Sequence, residues 1–244
     1  MREEPAIALT VLAMLPILIV PSQGYAQRTD VQLPHPGILP DNQFYGLKRT
    51  VEMIWMSLTF GDDAKALRSL ELAQTRLAEA HAMANGQKPE FVDVLLKQYR
   101  TELENADRLA SSLPDDKKAV VSGRIAIATS WHLTVLDDLG EKVPENGRAA
   151  VMAAREDSMK GNMKALRDLA SKDPEKAAEI AMSIANGRAN VATKAASDGH
   201  DKEALKAIDD LNAYKNLVDE IKATKQPKEH DAGEKQNGNS KKTP

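Results

Sequence analysis

The sequence predicts an all-α protein, an antiparallel array of about seven helices paired as hairpins, with a possible internal duplication. Three observations carry this. Apolar positions recur at three- and four-residue steps along most of the chain, the spacing that lines one face of a helix. β-Branched and aromatic residues nowhere alternate over the length of a strand. Aromatic residues make up only 4% of the 244, so alanine-rich seams must join the elements, and small side chains let helices approach closely.

Each element has its own local signals. Residues 27–40, with Pro34, Pro36, Gly37 and Pro40, form an extended lead-in, because proline removes a donor and disfavours helix in the residue before it. Asp41 or Asn42 then caps a first helix that stops near Gly61. It carries Phe44, Leu47, Val51, Ile54, Trp55 and Leu58 on one side, at the spacing expected for burial. Asp62 or Asp63 caps a second, with a seam of Leu67, Leu70, Ala73, Leu77, Ala80 and Ala84, and Asn85-Gly86 ends it. A third runs from Pro89 to Ser112 with Phe91, Leu95, Tyr99, Leu103 and Leu109 on or near one face.

Pro114-Asp115-Asp116 opens a fourth helix, where proline is tolerated because its missing amide has no partner in the first turn. Val120, Ile127, Trp131, Val135 and Leu139 mark its expected inner side up to Gly140. A fifth begins at Pro144-Glu145, with Val151, Met152, Met159, Met163, Leu166 and Leu169 inward and Gly161 costing about 1 kcal/mol relative to alanine. The sixth, from Asp173-Pro174-Glu175 to Gly199, carries Ala177, Ile180, Ala181, Ile184, Ala185, Arg188, Val191 and Ala192. The seventh, from Asp201, carries Leu205, Ile208, Leu211, Tyr214, Leu217, Val218 and Ile221. These elements group as an N-terminal unit over 41–112, a central pair over 113–170 and a C-terminal hairpin over 171–225. From residue 226 to 244 the chain is Lys-rich and nearly free of apolar residues, a composition that does not offset the entropy of ordering.

Sliding the second helix by 112 positions lays Ala66, Ala73, Arg76, Ala80 and Ala84 on Ala178, Ala185, Arg188, Ala192 and Ala196. Gly86 and Gly199 then end both segments. Such a repeat describes two related hairpins joined by the central pair.

The first 26 residues read as an export leader. Arg2 precedes an apolar run from Ala6 to Val20, and Gly24 and Ala26 supply small side chains before a cut that leaves Gln27 first. Glu3 and Glu4 offset the charge of Arg2, and the alternative is an uncleaved membrane anchor. The run is shorter than the roughly 20 apolar residues that span a bilayer, and Pro16 interrupts it. Processing therefore gives a chain without a membrane span, placed in the periplasm or outside the cell.

The segment from Leu39 to Arg49, Leu-Pro-Asp-Asn-Gln-Phe-Tyr-Gly-Leu-Lys-Arg, with Glu52 one turn on and Ala73, Arg76, Leu77, Ala78 and Glu79 beyond, resembles the opening of the domain-of-unknown-function 5667 family. The likeness runs best from Pro36 to about Ala110. A proline-led companion helix from Val143 to Gly161 is similar too, departing in Asn146-Gly147. The resemblance implies a helical fold and an exported or membrane-associated prokaryotic protein. It implies no activity.

Candidate chemistry is sparse. With no cysteine, disulfides, thiolate metal sites and cysteine nucleophiles are excluded. The net charge of −3 interleaves 33 basic with 36 acidic residues, so nucleic acid is not an expected partner. Among His35, His81, His132, His200 and His230 no two share a helix face at metal-ligand spacing. His132 with Asp137 or Asp138 is the nearest approach to a site. Met152, Met159 and Met163 form a stripe that suits either a cuprous ion or, more simply, an irregular core. Lys48 and Glu52 stand four apart and are expected to pair on a solvated face, with Lys48 and Arg49 as a weaker binding candidate. Arg76 and Arg188 sit in small-residue seams, where each needs an acid such as Glu71, Glu79 or Glu179, or an anionic ligand. No cofactor, metal or catalytic residue is assigned. The expected role is non-enzymatic contact with a protein or envelope component, and the alternative is a small-ligand or metal carrier.

Overall fold

The computed structural model describes residues 33–225; the leader over 1–26, lead-in positions 27–32 and the tail over 226–244 lie outside the described residues. These fold into seven α-helices and no strand: α1 Tyr45–Ser57, α2 Asp62–Asn85, α3 Val92–Ser111, α4 Asp115–Lys142, α5 Glu145–Ala170, α6 Pro174–Ser197 and α7 Asp201–Lys225. A 3-10 turn at Pro89–Phe91 leads into α3. This is the array that the periodicity predicts. α2 pairs with α3, α4 with α5 and α6 with α7. The central hairpin is the common partner, since α2 lies on α4, α3 on α5, and α6 mainly on α5. α1 packs closely on none of the others.

The ends of the helices follow local chemistry. Asp173 caps α6 by accepting from Lys176 N at 2.9 Å. Asn42 instead makes a turn ahead of α1, its Oδ1 accepting from Phe44 N at 2.9 Å, and Asp62 and Asp63 lie inside the first turn of α2 after Gly61. There the carboxylates suit the positive end of the helix dipole. At the far end of α2 the left-handed residue is Gln87, with φ 59°, rather than Gly86. Lys88 N reaches Met83 O at 2.9 Å and Gln87 N reaches Ala84 O at 3.1 Å, the paired bonds of a Schellman cap. α6 closes identically: Gly199 has φ 76°, and His200 N reaches Ala195 O at 2.8 Å. Gln87 and Gly199 stand at the same 112-residue offset that aligns Arg76 with Arg188. Asn146 and Gly147 are helical despite their poor propensity. Val143 fills the space where a Cβ on Gly147 would sit, 3.2 Å away.

Burial corrects the expected faces of α1, α4 and parts of α5 and α7. On α4 the inner side is Ala119, Ser122, Gly123, Ala126, Thr129, His132, Leu133 and Leu136, while Val120, Ile127 and Trp131 are exposed. Small side chains alternate there with Val121, Ile125 and Leu139, the last as expected, because α4 is crossed by α2 and α5 together and small residues let the helices approach closely between the larger ones. Met152 and Leu205 are likewise exposed. Among the described residues α4 is also the one helix long and apolar enough to cross a membrane by length and composition, and most of that stretch is buried inside the bundle.

Polar atoms thread the core in hydrogen-bonded sets, as burial requires. Asn162 Nδ2 donates to Ala126 O at 2.6 Å and to Thr129 Oγ1 at 2.9 Å, and the Tyr214 hydroxyl donates to Asn162 Oδ1 at 2.9 Å. These bonds tie α4, α5 and α7 together.

Candidate functional site

The feature that departs most from the logic of a soluble bundle is α1, which is amphipathic and mounted inside out. No residue of α1 is buried. Phe44, Leu47, Val51, Ile54, Trp55 and Leu58 all face outward, and Phe60 just beyond the helix is 85% exposed. The expectation that this stripe docks into the core is therefore wrong. The opposite stripe, Tyr45, Lys48, Arg49 and Glu52, faces the α2–α3 hairpin.

What receives that stripe is an ionic cradle on α2. Arg76 and Glu79 are both fully buried, at 0% exposure. Arg76 Nη2 meets Glu52 Oε1 at 2.5 Å, and its Nη1 meets Glu79 Oε2 at 3.2 Å and the Tyr45 hydroxyl oxygen at 2.7 Å. The Tyr45 hydroxyl donates onward to Glu79 Oε2 at 2.8 Å. Burial pushes the Tyr45 hydroxyl pKa up, so it stays protonated and keeps that role. Lys48 completes the cluster: it pairs with Glu79, not with Glu52 as the four-residue spacing suggested, and it donates to the carbonyls of Pro36 at 2.5 Å and Ile38 at 3.2 Å. Arg49 pairs with Glu52 at 2.7 Å. Lys48 and Arg49 thus belong to the anchorage of α1 rather than to a solvated face.

The alanine stripe of α2 explains the mounting. Its seam toward α3 and α4 uses small residues and leucine, which leaves Arg76 and Glu79 pointing at the lead-in and α1, where only polar partners satisfy them. Beneath the C-terminal half of α1 lies an open cleft of about 570 Å³ lined by Met53, Met56, Leu72, Leu109 and the charged Arg49 and Glu102. Burial raises the Glu102 carboxyl above the usual range, only partly opposed by Arg49 and Arg76.

Arg188 occupies a second buried cluster. Its partner is Asp137 on α4, not the local Glu179, which is exposed. Asp137 Oδ1 also accepts from Arg155 Nε at 2.5 Å, and Arg155 reaches Asp210 on α7. Burial opposes the charge on Arg155, yet hydrogen bonds to Asp210 and Asp137 outweigh it and raise its pKa. This group clamps four helices, and none of its members lines the cleft beneath α1. Arg155 and Asp210 carried no signal in the sequence, since their partners lie 18 and 55 positions away.

The remaining candidates are kept apart. His132 is buried, with Nδ1 3.1 Å from the Tyr99 hydroxyl oxygen, while Asp137 serves the arginines. Asp138 meets His81 Nε2 at 2.7 Å and Lys142 at 2.7 Å. Met159 and Met163 flank the core but Met152 points to solvent. Among the described residues no group of three or more His, Cys, Asp or Glu side chains is placed to hold a metal ion.

Residues 37–146 match the model of the family described as domain of unknown function, DUF5667. The match takes in 110 of the 244 residues. The matched span takes in the end of the lead-in, all of α1 to α4 and the first residues of α5, so the whole ionic cradle and the outward stripe of α1 lie inside the DUF5667 segment. Arg155, Arg188 and Asp210 lie beyond it. No curated protein and no solved structure matches the chain.

Proposed function

We propose that this chain is an exported, non-enzymatic helical protein that works by contact with a protein or envelope component, and that the outer face of α1 is its contact surface. The observation that carries the reading is the inversion of α1. A helix whose only role was to cover the hairpin would bury its leucines and show its charges to water. Here buried arginine and carboxylate groups hold the polar side, and a row of large apolar side chains is presented outward. Contiguous apolar surface of this kind marks interaction sites on folded proteins. The export half of the reading rests on the leader-like composition of residues 1–26.

The alternative, a small-ligand carrier, has the cleft beneath α1 in its favour, but that cleft is open, and its Arg49 and Glu52 are already engaged with each other and with Arg76. The test uses the absence of native cysteine. Val51→Cys on the α1 face and Val94→Cys on α3 are labelled in living cells with a maleimide that does not cross membranes. Contact at α1 in an exported protein gives labelling at position 94 and protection at 51, with both labelled equally after purification and dilution. Equal labelling at both positions in cells removes the contact surface, and no labelling at either removes export.

A further inference from the structure

Resting on the reading of α1 as a contact surface, we infer that its occupant is α1 of a second copy of this chain, packed antiparallel as a short coiled-coil seam. The outward row Phe44, Leu47, Val51, Ile54 and Leu58 advances in steps of three, four, three and four. That alternation is the a/d spacing of a helix that meets another helix by knobs into holes, with Trp55 flanking the row. The row is nearly symmetric about Val51. An antiparallel copy sets Phe44 opposite Leu58, Leu47 opposite Ile54 and Val51 against itself, so one patch supplies both sides of a closed two-fold interface.

Area and charge point the same way. With the flanking Trp55 and Phe60, the face exposes roughly 850 Å² of large apolar residues, close to the ~800 Å² that each partner gives a standard interface. The outward row itself carries no charge: Lys48 and Glu52 pair with Glu79 and Arg76 on α2, and Arg49 pairs with Glu52. The same fact disfavours a lipid surface: interfacial helices flank their apolar side with basic residues that attract anionic headgroups, and the two basic residues of α1 are used in the cradle. The cradle also holds α1 helical before contact. A free peptide of 13 residues is too short to be stable alone, and fixing it in advance lowers the entropy cost of pairing.

The experiment measures mass by sedimentation equilibrium over a hundredfold concentration range on the protein expressed from the full-length chain, beside Leu47→Glu/Ile54→Glu. The expected result is a mass rising from one chain to two in the wild type and staying at one in the variant, with identical circular dichroism. Separately, Val51→Cys is expected to form a disulfide-linked dimer under mild oxidation at least tenfold faster than Val94→Cys. A wild type that remains one chain at the highest concentration, or equal cross-linking rates, overturns the self-pairing. If that monomer instead binds neutral phosphatidylcholine vesicles and the double variant does not, self-pairing falls while α1 as a contact surface survives. A monomer whose variant matches it in every measurement, with position 51 unprotected in cells, removes both.

Discussion

Lowering the pH from 7 to 5 should expose the largest titration built into the core. His132 is buried between α3 and α4, and desolvation pulls its pKa down to about 3, against about 6.5 in an unfolded chain. With a lowered folded-state pKa the unfolded chain takes up the proton first. The associated stability is complete above pH ~6.5 and is lost as the pH falls toward 3. Between pH 7 and 5 the loss comes to about 2 kcal/mol, following the limiting slope of ~1.4 kcal/mol per pH unit. For a chain of this length that lowers Tm by about 4–8 °C. The assay is thermal unfolding followed by circular dichroism at pH 7, 6 and 5, for the wild type and His132→Gln. The glutamine amide can either accept from or donate to the Tyr99 hydroxyl, which sits 3.1 Å from Nδ1 in the native protein, but it does not titrate. The wild type should lose Tm over this range and the variant should lose much less. Ion-paired carboxylates titrate mainly below pH 5 and act alike in both proteins. Equal slopes would refute a buried neutral imidazole at this position.

Other outcomes follow from the same structure. Arg76→Met leaves the buried Glu79 and the half-buried Glu52 without their shared cation, and urea unfolding should show a loss of about 3–5 kcal/mol; adding Glu79→Leu should recover part of it. Leu47→Glu and Ile54→Glu, although they replace large apolar residues, should each change monomer stability by no more than about 0.5 kcal/mol because both side chains are already in water. Leu136→Ala in the α4 seam should cost about 2–5 kcal/mol. Gln87→Gly relieves a left-handed residue and should stabilise the chain by about 1 kcal/mol. Gly161→Ala should give a similar gain, since its Cβ would meet only Leu103 Cδ2, at 3.9 Å.

The seven helices were legible because their seams, caps and proline starts agree with one another. Which way a helix faces was less so. In α4 the sequence marks Val120, Ile127, Trp131, Val135 and Leu139 as the apolar side; Leu139 and Val135 do meet the core, but packing against two helices turns the interior toward small residues with Val121, Ile125, Leu133 and Leu136 and leaves the first three exposed. In α1 the apolar stripe reads as a core face by the ordinary rule. Its reversal was hinted at only by a second stripe, Tyr45, Lys48, Arg49 and Glu52, at the same helical spacing with charges of both signs. The need of Arg76 for an acid was visible, and Glu79 was among the candidates; Glu52 was not, since it lies 24 positions away. Asp137 as the partner of Arg188 was hidden for the same reason, because helix-local reasoning reaches only three or four residues.

The central claim is that α1 is attached by its charges and shows its leucines to water. Iodide quenching of Trp55 fluorescence tests it most directly, in a Trp131→Phe background where no other tryptophan remains, with the protein diluted until its mass is that of one chain. Trp55 is 57% exposed, so the account predicts solvent-like emission and ready quenching, replaced by blue-shifted, protected emission as the concentration rises. A Trp55 that is shielded from iodide in the folded single chain would mean that α1 packs its apolar face inward, and the account would be wrong.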